Sequence, residues 1–309
     1  MTILQSLIAI ATVAGIISLA RWYSFWKKHA VKFVDSGYTP PKAGAVSEFF
    51  FAAACRFVTF MTVGKVRVIG SHKVPKTGRV IFAANHQIPC DFAMVRRGSG
   101  RYFRMLTAAN QLGGLFGVIS AWFGVISVAF KQKSDGAAAE QACVNAVAED
   151  NGAIGIFPQG ALLPDNVLNK SEFRPGCVRM AAKASALSGD DVQIVPIAIH
   201  YIRDAARADW THRFLKRYRS LFKGARNPEH WDADFKIDAE QLPEAERAAL
   251  LARREEKLKA YRRSRVTNYG GVVVVGAPIA ASSLPAEPLD AIEVIRQEMA
   301  RLLEIAQKQ

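Results

Sequence analysis

From residue 66 to residue 276 the chain alternates short β-branched runs with helical stretches, and that alternation restricts its fold more than any other property. Strands are expected at Val66–Ile69, Val80–Ala84, 124–130, 153–157, 192–200 and 272–276. Helices are expected at 103–115, 136–149 and 175–187. Strands this apolar have to be covered on both faces, so the pattern predicts an α/β fold. Its mixed, largely buried sheet would be flanked by helices.

Residues 1–20 carry no charged side chain, and Arg21, Lys27, Lys28 and Lys32 follow at once. Twenty helical residues reach about 30 Å, the thickness of a hydrocarbon core. No basic stretch precedes the run and no small-residue cleavage site ends it, so a retained anchor is expected over 1–30. It could span the bilayer or lie in one leaflet. The following positive charge places the rest of the chain on the cytoplasmic side. Trp22, Tyr23 and Trp26 stand where an interfacial aromatic belt would be. After a turn-rich linker at 37–41, a second apolar helix is expected at 45–63, interfacial or buried. A globular domain over 64–280 follows, then a C-terminal helix over 285–309.

Within that domain, 203–268 reads as a basic helical insertion. Its first part carries Trp210, Phe214, Tyr218, Leu221 and Phe222 at helical spacing, against Arg213, Lys216, Arg217 and Arg219. Such a helix suits an anionic membrane surface or an acidic carrier; packed on the sheet, it would show water a basic face. From 243 to about 265 a second helix mixes its charges, as a solvated face does. The formal net charge of +14 calls for an anionic partner. No nucleic-acid recognition motif accompanies it. The four cysteines are scattered and read as reduced thiols facing the cytoplasm. The six histidines show no ligand spacing, so no metal is expected.

The chemistry is concentrated in Asn85-His86-Gln87-Ile88-Pro89-Cys90-Asp91. A histidine at a strand end, with a carboxylate in the first turn of the next helix, makes a general base and its orienter. Cys90 inside this block reads as a packing residue of the turn. Alone the spacing is common. Further on come Phe157-Pro158-Gln159-Gly160, Phe173-Arg174-Pro175-Gly176 and Val195-Pro196-Ile197.

Over about 66–200 this ordered set resembles the glycerolipid acyltransferase family, whose best-known members acylate lysophosphatidic acid. That family carries Asn-His-x4-Asp, Phe-Pro-Glu-Gly, Phe-basic-x-Gly and Val-Pro blocks in this order. The resemblance implies a single α/β acyltransferase domain, preceded here by the membrane-associated helical segment. It implies an O-acyltransferase with His86 and Asp91 as the catalytic pair. Asn85, Gln159, Gly160, Arg174, Gly176 and Lys131 would then bind substrate. The donor would be acyl-CoA or acyl carrier protein, and no other cofactor is implied. By family prior the acceptor is 1-acyl-sn-glycerol-3-phosphate, met at a membrane.

Two departures bear on that acceptor. Gln159 stands where the family has a glutamate that helps bind it, and Leu162 where the family has an arginine that pairs with phosphate. Phe130, Lys131 and Lys133 replace a strand-end arginine, and a lysine lacks the planar fork that grips phosphate bidentately. The alternatives are therefore a non-phosphate acceptor, such as a glycolipid or another lipid alcohol, or a lipid-binding homologue without catalysis.

Overall fold

The computed structural model describes residues 3–309 apart from 43, 130–133, 164, 209–211, 213–227, 231 and 265–267. It leaves out the side chains of 3–11, 230, 233, 260 and 262–264. In chain order the helices and strands are α1 (Ile3–Ala30), α2 (Ala45–Thr62), β1 (Val66–Ile69), β2 (Val80–Ala84), α3 (Asp91–Ser99), β3 (Arg104–Ala108), α4 (Gly114–Trp122), β4 (Ile126–Val128) and α5 (Ser134–Ala148). They continue as β5 (Ala153–Ile156), α6 (Gly176–Ser188), β6 (Gln193–Ile202), α7 (Glu244–Ser264), β7 (Gly270–Val275), β8 (Ile279–Ala280) and α8 (Pro288–Gln307).

The chain divides into two compact units: Met1–Phe51 with Arg104–Ala146, and Ala52–Phe103 with Val147–Gln309. In the second, the strands run in the order β1-β7-β6-β2-β5, with β8 on β6. Strand β2 lies parallel to both β5 and β6, whereas β7 is antiparallel to β6 and parallel to β1. The sheet is mixed, as the sequence implied. Strand β2 is buried at every position, which explains its want of alternation. On one face of β7, Val272 and Val274 pack with Ala198 of β6 against Leu302, Leu303 and Ala306 of α8. The buried positions of α8 recur every three or four residues, the spacing a helix needs to lay one stripe on a sheet.

Opposite, α3 comes unusually close. A Cβ on Gly98 would stand 2.5 Å from Val273 Cγ1, and one on Gly271 would stand 2.6 Å from Met94 Cε. Both glycines leave the space that lets α3 sit down on β7.

The first unit pairs β3 with β4 in parallel. Its core gathers Trp26 and Phe33 with Leu112, Val118, Ala121 and Val125. Trp26 is thus a core residue of this unit, not a belt residue. Trp22 meets Trp122 edge-on at 5.2 Å, while Tyr23 is exposed. Of the two apolar helices near the N-terminus, α2 is long and apolar enough to cross a membrane, with 28% of it buried.

One expected helix is not there. Residues 103–115 form β3, a 3-10 turn and only the start of α4. Buried Arg104 donates from Nη1 to the carbonyls of Pro40, at 3.0 Å, and Gly124, at 3.4 Å, so it satisfies backbone instead of facing water. Helix α7 lies where the second charged helix of the insertion was expected. The basic stretch 210–222 lies outside the described residues, apart from His212.

Candidate active site

In-register pairing explains how blocks 73 residues apart in the chain meet. Ala83 of β2 lies opposite Ile156 of β5, so the residues just beyond each strand end come out side by side. The His86 ring stacks on Phe157, with centroids 4.0 Å apart and planes 10° from parallel. Its backbone N–H donates to Gln159 Oε1 at 3.2 Å. Both blocks stand at the C-terminal ends of parallel strands, where α/β sheets present their ligand sites.

His86 Nδ1 lies 2.9 Å from Asp91 Oδ2. The imidazole is one-fifth exposed, whereas the Asp91 side chain is wholly buried. A buried carboxylate needs full compensation, and Asp91 has it. The N–H groups of Gln87 and Ile88 donate to Oδ2, the latter at 2.9 Å, and the Tyr201 hydroxyl donates to Oδ1. Standing in the first turn of α3, Asp91 also meets the positive end of the helix dipole. With Nδ1 committed to Asp91, the ring has Nε2 left for a reactant, and no described residue bonds it.

Asn85 is buried and acts as a piece of sheet. Its side-chain amide accepts from the Ile199 N–H at 2.7 Å and donates to the Ile199 carbonyl at 2.8 Å, and it also donates to Asn166 Oδ1 at 2.5 Å. It thus prolongs the β2–β6 pairing past the last strand residue. Gln87 also donates to the Ile199 carbonyl, at 2.8 Å. Gln159 is equally engaged, since its Nε2 donates to the Val167 carbonyl at 3.3 Å while Oε1 holds His86. With Leu163 N–H donating to the His86 carbonyl at 2.7 Å, the loop after β5 is tied to the His86 block at several points.

Gly160 has φ +64°, in the left-handed region, and the exposed Arg174 guanidinium lies across it: a Cβ there would meet it at 3.4 Å. No described carboxylate pairs with Arg174, whose backbone N–H donates to the Pro158 carbonyl at 3.0 Å. Gly176 opens α6, two residues on. Lys131 lies outside the described residues. The structure therefore joins His86 to Asp91 and Gln159 by hydrogen bonds, ties Asn85 to Ile199 and Asn166 beside them, and sets Arg174 over Gly160.

Cys90 is no nucleophile at neutral pH. Burial, and then the Asp91 charge, push its thiol up to about 12. Beside Gln87 opens a cleft of about 380 Å³ lined by Asn166, His200, Arg203 and Arg207, among others. Burial, and then Arg203, lower the pKa of His200. Among the described residues, no three His, Cys, Asp or Glu side chains gather as a metal-binding group.

Sequence reading missed Gln87, Asn166 and Tyr201. For Tyr201 a signal existed. It continues the alternation of Val195, Ile197 and Ile199, and a buried tyrosine has to find a partner for its hydroxyl.

The C-terminal edge of the sheet thus presents a His–Asp pair, with the ordered blocks of the sequence gathered around it. Residues 65–200 match the acyltransferase family model. Over that stretch, a little under half of its length, the chain is similar to the acyltransferase family. Among solved structures it is similar to the crystal structure of PlsC, the 1-acyl-sn-glycerophosphate (LPA) acyltransferase from Thermotoga maritima. The identity is 15%, over 95% of this chain and 99% of that one, with a TM-score of 0.48. No curated protein matches the chain.

Proposed function

We propose that this protein is a membrane-associated O-acyltransferase that moves a fatty acyl group from acyl-CoA or acyl carrier protein to a lysolipid hydroxyl. His86 is the general base and Asp91 its orienter. The observation that carries this reading is the buried Asp91 carboxylate on Nδ1 of a part-exposed imidazole, inside a matched acyltransferase domain.

In the reaction, His86 Nε2 takes the proton of the acceptor hydroxyl as its oxygen attacks the thioester carbonyl. The tetrahedral intermediate collapses, the C–S bond breaks, and the departing thiolate recovers the proton from the imidazolium. Asp91 fixes the ring with Nε2 free and stabilises the cation that forms, as in the hydrolase triads. Positioned proton transfer of this kind contributes about 10²–10⁴-fold.

By family prior the acceptor is 1-acyl-sn-glycerol-3-phosphate. A second reading, a neutral lipid alcohol, is favoured by a specific observation. Both ends of the Gln159 amide are taken by main chain, and Leu162 has no group to pair with phosphate. Arg174, exposed and without a described carboxylate, remains the cation for an anionic headgroup or for the phosphates of the donor.

The test is acceptor-dependent thiol release by detergent-purified protein, with lysophosphatidic acid and with a monoacylglycerol. His86→Ala is expected to lower kcat by at least about 10²-fold, with either acceptor. Preference for the monoacylglycerol would establish the second reading. Acceptor-dependent release that survives His86→Ala would overturn the base assignment. No release with either donor carrier would point to a lipid-binding homologue.

A further inference from the structure

We infer that Tyr201 is a positioning residue of this site: its hydroxyl holds the Asp91 carboxylate in the one rotation that keeps Oδ2 on His86. The inference rests on His86 and Asp91 being the catalytic pair.

The two carboxylate oxygens of Asp91 have different partners. Oδ2 takes His86 Nδ1 and the N–H groups of Gln87 and Ile88, all from the same turn of chain. Oδ1 takes the Tyr201 hydroxyl, which arrives from β6, 110 residues away. Without that hydroxyl Oδ1 would be a buried acceptor with no described partner. The carboxylate would then turn to share the remaining donors between its oxygens, and the imidazole would lose its fixed orientation.

Tyr201 is suited to this by its surroundings. It is 3% exposed and lies opposite Gly271 in the β6–β7 register. The missing side chain at Gly271 admits Met94, and Gly98 brings the far end of α3 onto Val273, so α3 lies close enough to β6 for Asp91 to reach the phenol. Burial, and then the Asp91 charge, hold the phenol well above its ordinary pKa, so it stays a donor. The Val-Pro strand thus supports the dyad through a residue five positions beyond Pro196.

The test is a double-variant cycle on the full-length, detergent-purified protein. Tyr201→Phe keeps the ring and its packing; kcat for acceptor-dependent thiol release is expected to fall about ten- to a hundredfold, with both KM values within about twofold. In an Asp91→Asn background the same change is expected to alter kcat by less than about twofold, because the group it acts through is gone. Wild-type kcat in Tyr201→Phe, or the same loss in both backgrounds, would overturn the inference.

Should Tyr201→Phe fail to fold, ring fluorination of Tyr201 keeps the hydroxyl and makes it a stronger donor. It must then change kcat without changing KM, and an unchanged kcat would overturn the inference. His86→Ala separates the two failures. If it stays active the base assignment falls, whereas an inactive His86→Ala beside a fully active Tyr201→Phe removes only the role of Tyr201.

Discussion

At the scale of single residues, the proposed mechanism separates a group that would react from groups that would hold it. His86 combines a part-exposed ring, fixed through Nδ1 by Asp91, with an Nε2 that no described residue bonds. Cys90, between Pro89 and Asp91, looks like a nucleophile only until its environment is considered. Its thiol is raised to about 12, so thiolate appears only as pH climbs towards that value; at pH 8 about one thiol in 10⁴ is ionised. Thiol release is therefore expected to resist iodoacetamide at pH 8, and Cys90→Ala to keep kcat within about threefold of wild type. Rapid inactivation by the reagent, prevented in Cys90→Ala, would contradict this. His86, Asp91 and Gln159 were legible in the sequence because ordered blocks and short spacings marked them. The contacts that define Asn85 and Tyr201 were not, because each crosses to β6, more than a hundred residues on.

At the scale of elements, the seat of α3 on β7 is the joint that matters, since α3 carries Asp91 at its first turn. Gly98→Ala gains helix propensity of up to about 1 kcal/mol. It also drives a methyl to 2.5 Å from Val273 Cγ1, a β-branched side chain with no exposed surface and little freedom to turn away. Overpacking of this kind costs about 1–3 kcal/mol, so a lower melting temperature is expected, with kcat falling as α3 moves off the sheet. A melting curve and kcat both unchanged from wild type would show that the joint has slack. Strand β2 and helix α5 could be read from pattern alone. The segment 103–115 could not, because a short apolar run does not distinguish a buried strand from a buried helix. What makes it a strand is its parallel pairing with β4, a contact some twenty residues on, and within it Arg104 is spent on the carbonyls of Pro40 and Gly124.

At the scale of the whole molecule, the composition and the exposed surface make one argument about location. Helix α1 shows Val13, Ile16, Ile17, Leu19 and Phe25 to solvent, and the first turns of α2 show Val46, Phe49 and Phe50, the last two 68% and 49% exposed. Exposed aromatic and aliphatic groups in this number mark an interaction surface. Exposed Lys27, Lys28 and Lys32 at and just past the end of α1 add the cationic fringe that anionic headgroups attract. Electrostatic attraction alone is screened at high salt, where the Debye length falls to about 3 Å; burial of apolar side chains is not. The protein is therefore expected to stay with anionic vesicles in 1 M salt and to leave them only in detergent. Phe49→Glu with Phe50→Glu removes two aromatic groups from the lipid side and adds two charges of the repelled sign. It should lower the vesicle-bound fraction at least about tenfold in 1 M salt, since each lost phenyl group forfeits about 1.5–3 kcal/mol of burial. His86-dependent thiol release from a water-soluble acyl thioester to a detergent-dispersed acceptor should survive in this variant. Release of the wild-type protein by salt alone would mean that charge, and not the apolar face, holds it to the membrane.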